Sequence, residues 1–451
     1  MILRLRQLRL GILLSGGLLT PQAVRADIVT DWNSAAVDII RTSAVDPFNA
    51  SRDLAILQIS IMDAVNGVNR QDPGFYVNGS AAAGSSIEAA AASAGLNVMT
   101  ALFGNNATFN ALYANQIAAL GGPSTPVNNG ANWGNSVANS IVNFRVADGS
   151  SAANPPFTGS NTQGKWRATP PAFQSQPLLP GWGNVAPFAL NTGAQFRPNG
   201  PATLDSANYA TDFTQVKLLG SAGSVTRTSD QTNIARFWNG SQDAVTTWNK
   251  TAQNFSAGLT LNQSAKVFAA LDVSLADAGI ASMDAKYTYA SWRPVSAIRD
   301  EATRDGGGVA LNDNPLITGD ATWQALITTP ASPEYVSHTN SMSGAAAATL
   351  ASLLGNNHIF SVTSDTNGDG VADLTRNYTS FSNMSSEALL SGVYAGINFK
   401  TSNEDGNALG AVVGQFVTNN YFTPVPEPSS AFYVLVVGLF LIMKRRNRLG
   451  A

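Results

Sequence analysis

Along most of the chain apolar residues recur at helical rather than alternating spacing. The clearest run opens at Ser51-Arg52-Asp53, after which Leu54, Leu57, Ile61, Ala64, Val65 and Val68 fall three and four positions apart. Ser51 stands where a hydroxyl would cap the first free amides, so a buried or amphipathic helix is predicted from there. Residues 86–102 and 109–120 are Ala-rich with few breakers, and 130–146 keeps a helical period despite its Gly and Asn residues. From 153 to 201 Pro, Gly and Trp are too dense for long helices, which predicts a looped excursion wrapped across a helical core. Helical spacing resumes over 206–219, 229–238, 241–257 and 262–289. A small-residue stretch at 343–354 suits close packing, and 385–399 with 403–419 form a last pair. No linker, charge block or repeat interrupts this body. The predicted class is all-α: one large helical domain over residues 27–424 with long Pro/Gly-rich loops.

Composition narrows the function. With 451 residues, 44% of them hydrophobic, the chain can bury a large core. Only 12% are charged and the net charge is −3, so no basic field exists to hold nucleic acid. There is no cysteine, which excludes disulfides and thiolate metal sites.

The two ends predict export. Arg4, Arg6 and Arg9 precede an apolar run over 10–19, and Ala23-Val24-Arg25-Ala26 offers small residues for cleavage, the layout of a signal peptide over 1–26. At the far end Val425-Pro426-Glu427-Pro428 leads into an apolar stretch over 431–443 and then Lys444, Arg445, Arg446 and Arg448. That run is shorter than the ~20 residues of a full membrane span. Pro-Glu-Pro, apolar helix and basic tail over 425–448 resemble the PEP-CTERM sorting signal of Gram-negative bacteria. The resemblance implies transient anchoring in the inner membrane and processing by a sorting protease. The body would then reside in the periplasm, at the cell surface or in the extracellular matrix.

Two segments carry candidate chemistry. In 284–294 Lys286 and Arg293 stand seven residues apart, two helical turns, a spacing that brings two cations to one face. In Pro333-Glu334-Tyr335-Val336-Ser337-His338-Thr339-Asn340-Ser341-Met342-Ser343-Gly344 a serine-bearing turn enters a helix. Its free amides and positive helix end suit an oxyanion, although Ser337 or Ser341 could equally be a plain N-cap.

Taken together, Lys-x6-Arg-Pro, Pro-Glu-Tyr-x-Ser and Ser-Gly-Ala-Ala are similar to the first two signatures of the vanadium-dependent haloperoxidases, which share a core with type-2 phosphatidic acid phosphatases. Ser51-Arg52-Asp53-Leu54-Ala55, Trp166-Arg167-Ala168-Thr169-Pro170-Pro171, Trp182-Gly183-Asn184-Val185, Gln195-Phe196-Arg197-Pro198 and Ile234-Ala235-Arg236-Phe237-Trp238 extend the likeness to its bacterial branch over nearly the whole mature chain. The resemblance implies a helical bundle cradling vanadate, with halide and hydrogen peroxide as substrates. Lys286 and Arg293 would grip the oxyanion and Ser337 would donate to it.

The resemblance also marks departures. The second signature reads Ser-Gly-His in the family and Ser337-His338-Thr339 here, so Thr339 falls on the acid–base histidine, with His338 a displaced candidate for that role. In Ser391-Gly392-Val393-Tyr394-Ala395-Gly396-Ile397-Asn398, Gly392 stands where the second arginine belongs and Asn398 where the metal-bonding histidine belongs. An amide nitrogen has no lone pair for vanadium and is no nucleophile toward phosphorus. His358, the one other histidine, follows a helix end and reads as a surface or capping residue. Three functions stay open: vanadate-dependent oxidation of halide, a non-catalytic surface or matrix protein with at most weak oxyanion binding, and an acid phosphatase. Separately, Asp365, Asn367, Asp369, Val371 and Asp373, with Gly370 at the sixth position, reproduce the first nine positions of an EF-hand-type calcium loop. Arg376 replaces its bidentate Glu. Calcium there would stiffen a loop between helices.

Overall fold

The computed structural model describes residues 28–304 and 314–422. The leader at 1–26 and the tail at 425–448 lie outside them. Among the described residues the helices are α1 (Ile28–Thr42), α2 (Pro47–Asn69), α3 (Ile87–Phe103), α4 (Ala107–Ala119), α5 (Thr125–Arg145), α6 (Ala207–Leu219) and α7 (Ser229–Asn239). They continue with α8 (Ala244–Gln253), α9 (Leu261–Tyr289), α10 (Pro294–Arg304), α11 (His338–Leu354), α12 (Phe381–Ala395) and α13 (Lys400–Tyr421). A hairpin of β1 (Phe360–Ser364) and β2 (Leu374–Tyr378) is the one sheet described, antiparallel with Phe360 opposite Tyr378. None of these helices is long and apolar enough to cross a membrane.

The centre is α9, buried along nearly all its length and started by a capping box of Thr260 and Gln263. Helix α2 lies antiparallel to it. Gly279 approaches Phe48 and Ser51 at one end, and Asn262 bonds Asn69 at the other. Helices α11 and α13 run parallel, in register through a glycine stripe: a Cβ at Gly410 would lie 1.8 Å from the Ser341 carbonyl and one at Gly414 2.5 Å from that of Ala345. Only glycine permits this approach. It brings the two positive N-terminal ends side by side.

The excursion expected over 153–201 is present, with only a short 3-10 turn at Trp182–Asn184. Buried Asp277 of α9 pins it by accepting the amides of Phe188, Ala189 and Leu190 at 2.7–2.9 Å. Three differences from the sequence reading matter. Helix α2 begins at Pro47, capped by Asp46 rather than Ser51. Helix α11 begins at His338, ahead of the small-residue stretch, because Ser337 caps it. Helix α12 ends at Ala395, where Gly396 turns left-handed at φ 78°, so Asn398 lies in the connection to α13 and not in a helix.

Candidate functional site

Lys286 sits in the last turn of α9 and is fully buried. Ala290 then adopts a left-handed conformation (φ 50°) and ends the helix. Arg293, just before α10, is therefore not on the same helical face; the chain bends and carries it back toward Lys286. Lys286 Nζ donates to the carbonyls of Pro333 and Glu334, both at 2.9 Å. Arg293 donates from Nε to Ser332 O at 2.8 Å, and from its terminal nitrogens to Ile397 O and Ser332 Oγ, each at 3.0 Å. Both cations thus turn their donors onto protein oxygens.

Within electrostatic reach of both is Glu334, 1% exposed and not singled out by the sequence reading. Its Oε1 accepts from Asn398 Nδ2 at 2.8 Å and from the Phe399 amide at 3.0 Å, at the start of α13. Burial pushes the Glu334 carboxyl above its ordinary range, while Arg293, Asn398 and Lys286 pull it back. Desolvation and Arg293 hold the Lys286 ammonium well below its usual value against the pull of Glu334. Burial likewise brings Arg293 down to about 10, with Glu334 opposing. The signal for Glu334 was available: a lone acid in an apolar motif whose two implied partners are cations.

Ser337 caps α11, its Oγ accepting from Asn340 Nδ2 at 3.0 Å and from the Asn340 amide at 3.5 Å. Ser337 is thus the N-cap, and its hydroxyl hydrogen is still able to donate. His338 is partly exposed, its ring 5.2 Å from that of Phe48. It lines a cleft of about 140 Å³ together with Thr339, Trp238 and Ile397. Desolvation, then Lys286 and Arg293, push its pKa well below the usual histidine value, so the imidazole is neutral at neutral pH. His358 closes the end of α11 through a 3.0 Å bond between Nε2 and Leu354 O.

At the other half of the site, Gly392 has no room for a side chain. A Cβ there would lie 3.0 Å from Asn398 Cβ and Asn403 Oδ1. Asn403, fully buried in the first turn of α13, has no hydrogen-bond partner on either amide atom, and neither has Asn340 Oδ1.

These residues do not fit vanadate. No histidine stands at the position of Asn398, Lys286 and Arg293 spend most of their donors on protein oxygens, and the Glu334 carboxylate nearby lowers the positive potential an oxyanion would need. The calcium candidates sit on the β1–β2 hairpin rather than between helices. Asp365 accepts the amides of Gly368 and Gly370, Asp373 that of Thr366, and Asp369 that of Val371. Among the described residues no three His, Asp or Glu side chains are grouped as a metal ion requires.

Residues 266–425 match the family described as the VCPO second helical-bundle domain. Solved structures share the fold. A bacterial vanadium-dependent iodoperoxidase has a TM-score of 0.72 and 24% identity over 86% of this chain and 96% of its own. A bacterial vanadium-dependent chloroperoxidase in its apo form gives 0.64 and 14% over 84% and 95%. In its holo form the values are 0.62 and 15% over 84% and 94%. No curated protein matches the sequence. The chain has the helical-bundle fold of these enzymes, and at such identities the likeness shows the fold alone.

Proposed function

We propose that this chain is an exported, non-catalytic relative of the vanadium haloperoxidases in which an internal carboxylate has taken the oxyanion's place. The observation that carries the reading is the ligand position: Asn398 stands where the family has its metal-bonding histidine and is spent on Glu334, a buried carboxylate that interacts electrostatically with both Lys286 and Arg293. Oxidation of halide by hydrogen peroxide in the iodo- or chloroperoxidase manner would need a bound oxyanion, and Glu334 offsets part of the positive charge that would hold it. Phosphoester hydrolysis would need a nucleophile that Asn398 cannot provide. His338, neutral and beside a cleft, could accept a proton but has no reacting group to serve.

The ends of the chain support a place outside the cytoplasm. Arg4, Arg6 and Arg9 with the following apolar run read as a signal peptide, and the Pro426-Glu427-Pro428 tail as a PEP-CTERM sorting segment. Its role would be at the cell surface or in the extracellular matrix.

The test is to equilibrate the purified mature protein with vanadate, measure bound vanadium, and assay bromination of a phenol-type dye with hydrogen peroxide. Neither stoichiometric uptake nor turnover is expected. Turnover that replacement of Lys286 or Arg293 abolishes would overturn the reading.

A further inference from the structure

Glu334 also borders a second, separate cavity. It has about 40 Å³ of room, enough for three or so water-sized groups, and is lined by the rings of Tyr209, Trp292, Tyr335 and Phe399 together with Asp212 and Glu334. Lys286, Arg293 and His338 do not line it. The aromatic wall is built rather than incidental: Tyr209 and Phe399 pack at 5.5 Å, and the Tyr335 hydroxyl is anchored by donating to Asp405 at 2.6 Å.

One polar group of the cavity is underused. The Tyr209 hydroxyl is buried, at 6% exposure for the residue, and has no hydrogen-bond partner. Glu334, which also borders the cavity, accepts from Asn398 and Phe399 on Oε1, and Ser402 is a further hydrogen-bonding neighbour of its carboxyl. The local field is negative. Burial raises the Tyr209 phenol first. The Trp292 side chain, which approaches the phenol outside normal hydrogen-bond geometry, opposes this, and Glu301, Glu334 and Asp300 add to the rise.

Aromatic faces carry negative potential and bind cations when water is excluded. Four rings and two carboxylates around a space of a few atoms suit an organic ammonium group, and they repel the oxyanion implied by the family likeness. Asp212 and Thr401 also line a much larger open groove of about 810 Å³ beside α6 and the first turn of α13. A ligand's remaining chain could run into this groove from its buried head. We propose that the chain binds a primary alkylammonium group in this cavity, held by Glu334 and Asp212 within the aromatic wall, with the Tyr209 hydroxyl accepting one ammonium hydrogen. The site shares Glu334 with the oxyanion pocket and to that extent rests on the reading above, whereas Asp212 and Tyr209 belong to this cavity alone, so Asp212→Asn tests it separately.

Binding of n-propylammonium chloride to the mature protein, measured by titration calorimetry, tests the assignment, with n-propanol and sodium chloride at matched concentration as controls. The expected result is saturable binding with a Kd of roughly 0.05–10 mM, the span open to four non-hydrogen atoms, and no saturable binding of propanol. Asp212→Asn keeps an oxygen for the Thr401 amide, which Asp212 now accepts at 2.9 Å, and should weaken binding about fivefold through charge alone. Glu334→Gln should weaken it more; if that variant does not fold, Asp212→Asn and Tyr209→Leu decide. Equal binding of propanol, no saturable propylammonium binding, or undiminished affinity in Asp212→Asn would each overturn the proposal. Nα-acetyl-lysine methyl ester, run as a competitor, separates the sources of the group: displacement of propylammonium marks a lysine side chain as a ligand, and no displacement confines the site to free amines.

Discussion

Replacing Glu334 by Gln removes one charge from a cluster of three while keeping its shape. The amide oxygen can still accept from Asn398 and Phe399, so the bonds at 2.8 and 3.0 Å survive in kind. What is lost is the counter-charge of Lys286 and Arg293, both essentially fully buried. Glu334 acts on both through space rather than in a contact ion pair, so the about 3–5 kcal/mol that breaking a buried pair costs is an upper bound. Lys286 can relieve part of this by shedding its proton, since desolvation and Arg293 already hold its pKa well below the usual value. A loss of at most about 3 kcal/mol is therefore expected. An oxyanion that enters the vacated field at a hundred times its Kd would return about 2.7 kcal/mol. The assay is denaturant unfolding of wild type and variant in chloride and in phosphate at matched ionic strength. The variant should be destabilised in chloride and rescued by phosphate, and the wild type should respond to neither salt specifically. Equal phosphate stabilisation of the wild type would refute the view that Glu334 occupies the oxyanion's place, as would a variant as stable as wild type with no phosphate response.

Three further outcomes follow from the same structure. Buried Asp272, bonded to Asn249, has its pKa raised by burial from 3.8 to about 8, so the native state holds a proton that the unfolded chain has released, and stability falls as pH rises across that window. Asp272→Asn should thus gain on wild type by up to ~1.4 kcal/mol per pH unit between about pH 4 and 8, read from unfolding free energies; a constant difference would contradict the assignment. His338 has the opposite sign: its folded pKa is depressed, so its contribution is lost as pH falls below about 6.5, and the difference between wild type and His338→Gln should shrink on acidification through that range. In Gly392→Ala the new methyl meets Asn398 and Asn403 at 3.0 Å, and overpacking of about 1–3 kcal/mol outweighs the ~1 kcal/mol helix propensity gain; a stabilised variant by thermal unfolding would show that this corner is open.

The helical class, the Pro/Gly-rich excursion and most helices were legible from sequence, because a 3.6-residue apolar period and capping side chains are local properties. Long α9 is the clearest case, its Asn262–Tyr289 span expected and Leu261–Tyr289 found. The hairpin was missed because five-residue strands carry too little period to stand out, and its Asp-rich turn resembled a calcium loop whose carboxylates the fold spends on backbone amides. Helix α10 was missed because its short span directly follows the Lys-x6-Arg-Pro segment, which had been read as one face.

For the site, the chemical inventory is legible in the residues alone: two cations, no histidine at Asn398, no arginine at Gly392. The sequence could not say that Ala290 turns the chain so that Arg293 returns toward Lys286 across a helix end, nor that Gly396 frees Asn398 from α12 to meet Glu334. Those are decisions of tertiary structure. A buried charge must find its partners wherever the packed backbone places them, and the partners of Lys286 and Arg293 lie as far away in sequence as Ile397.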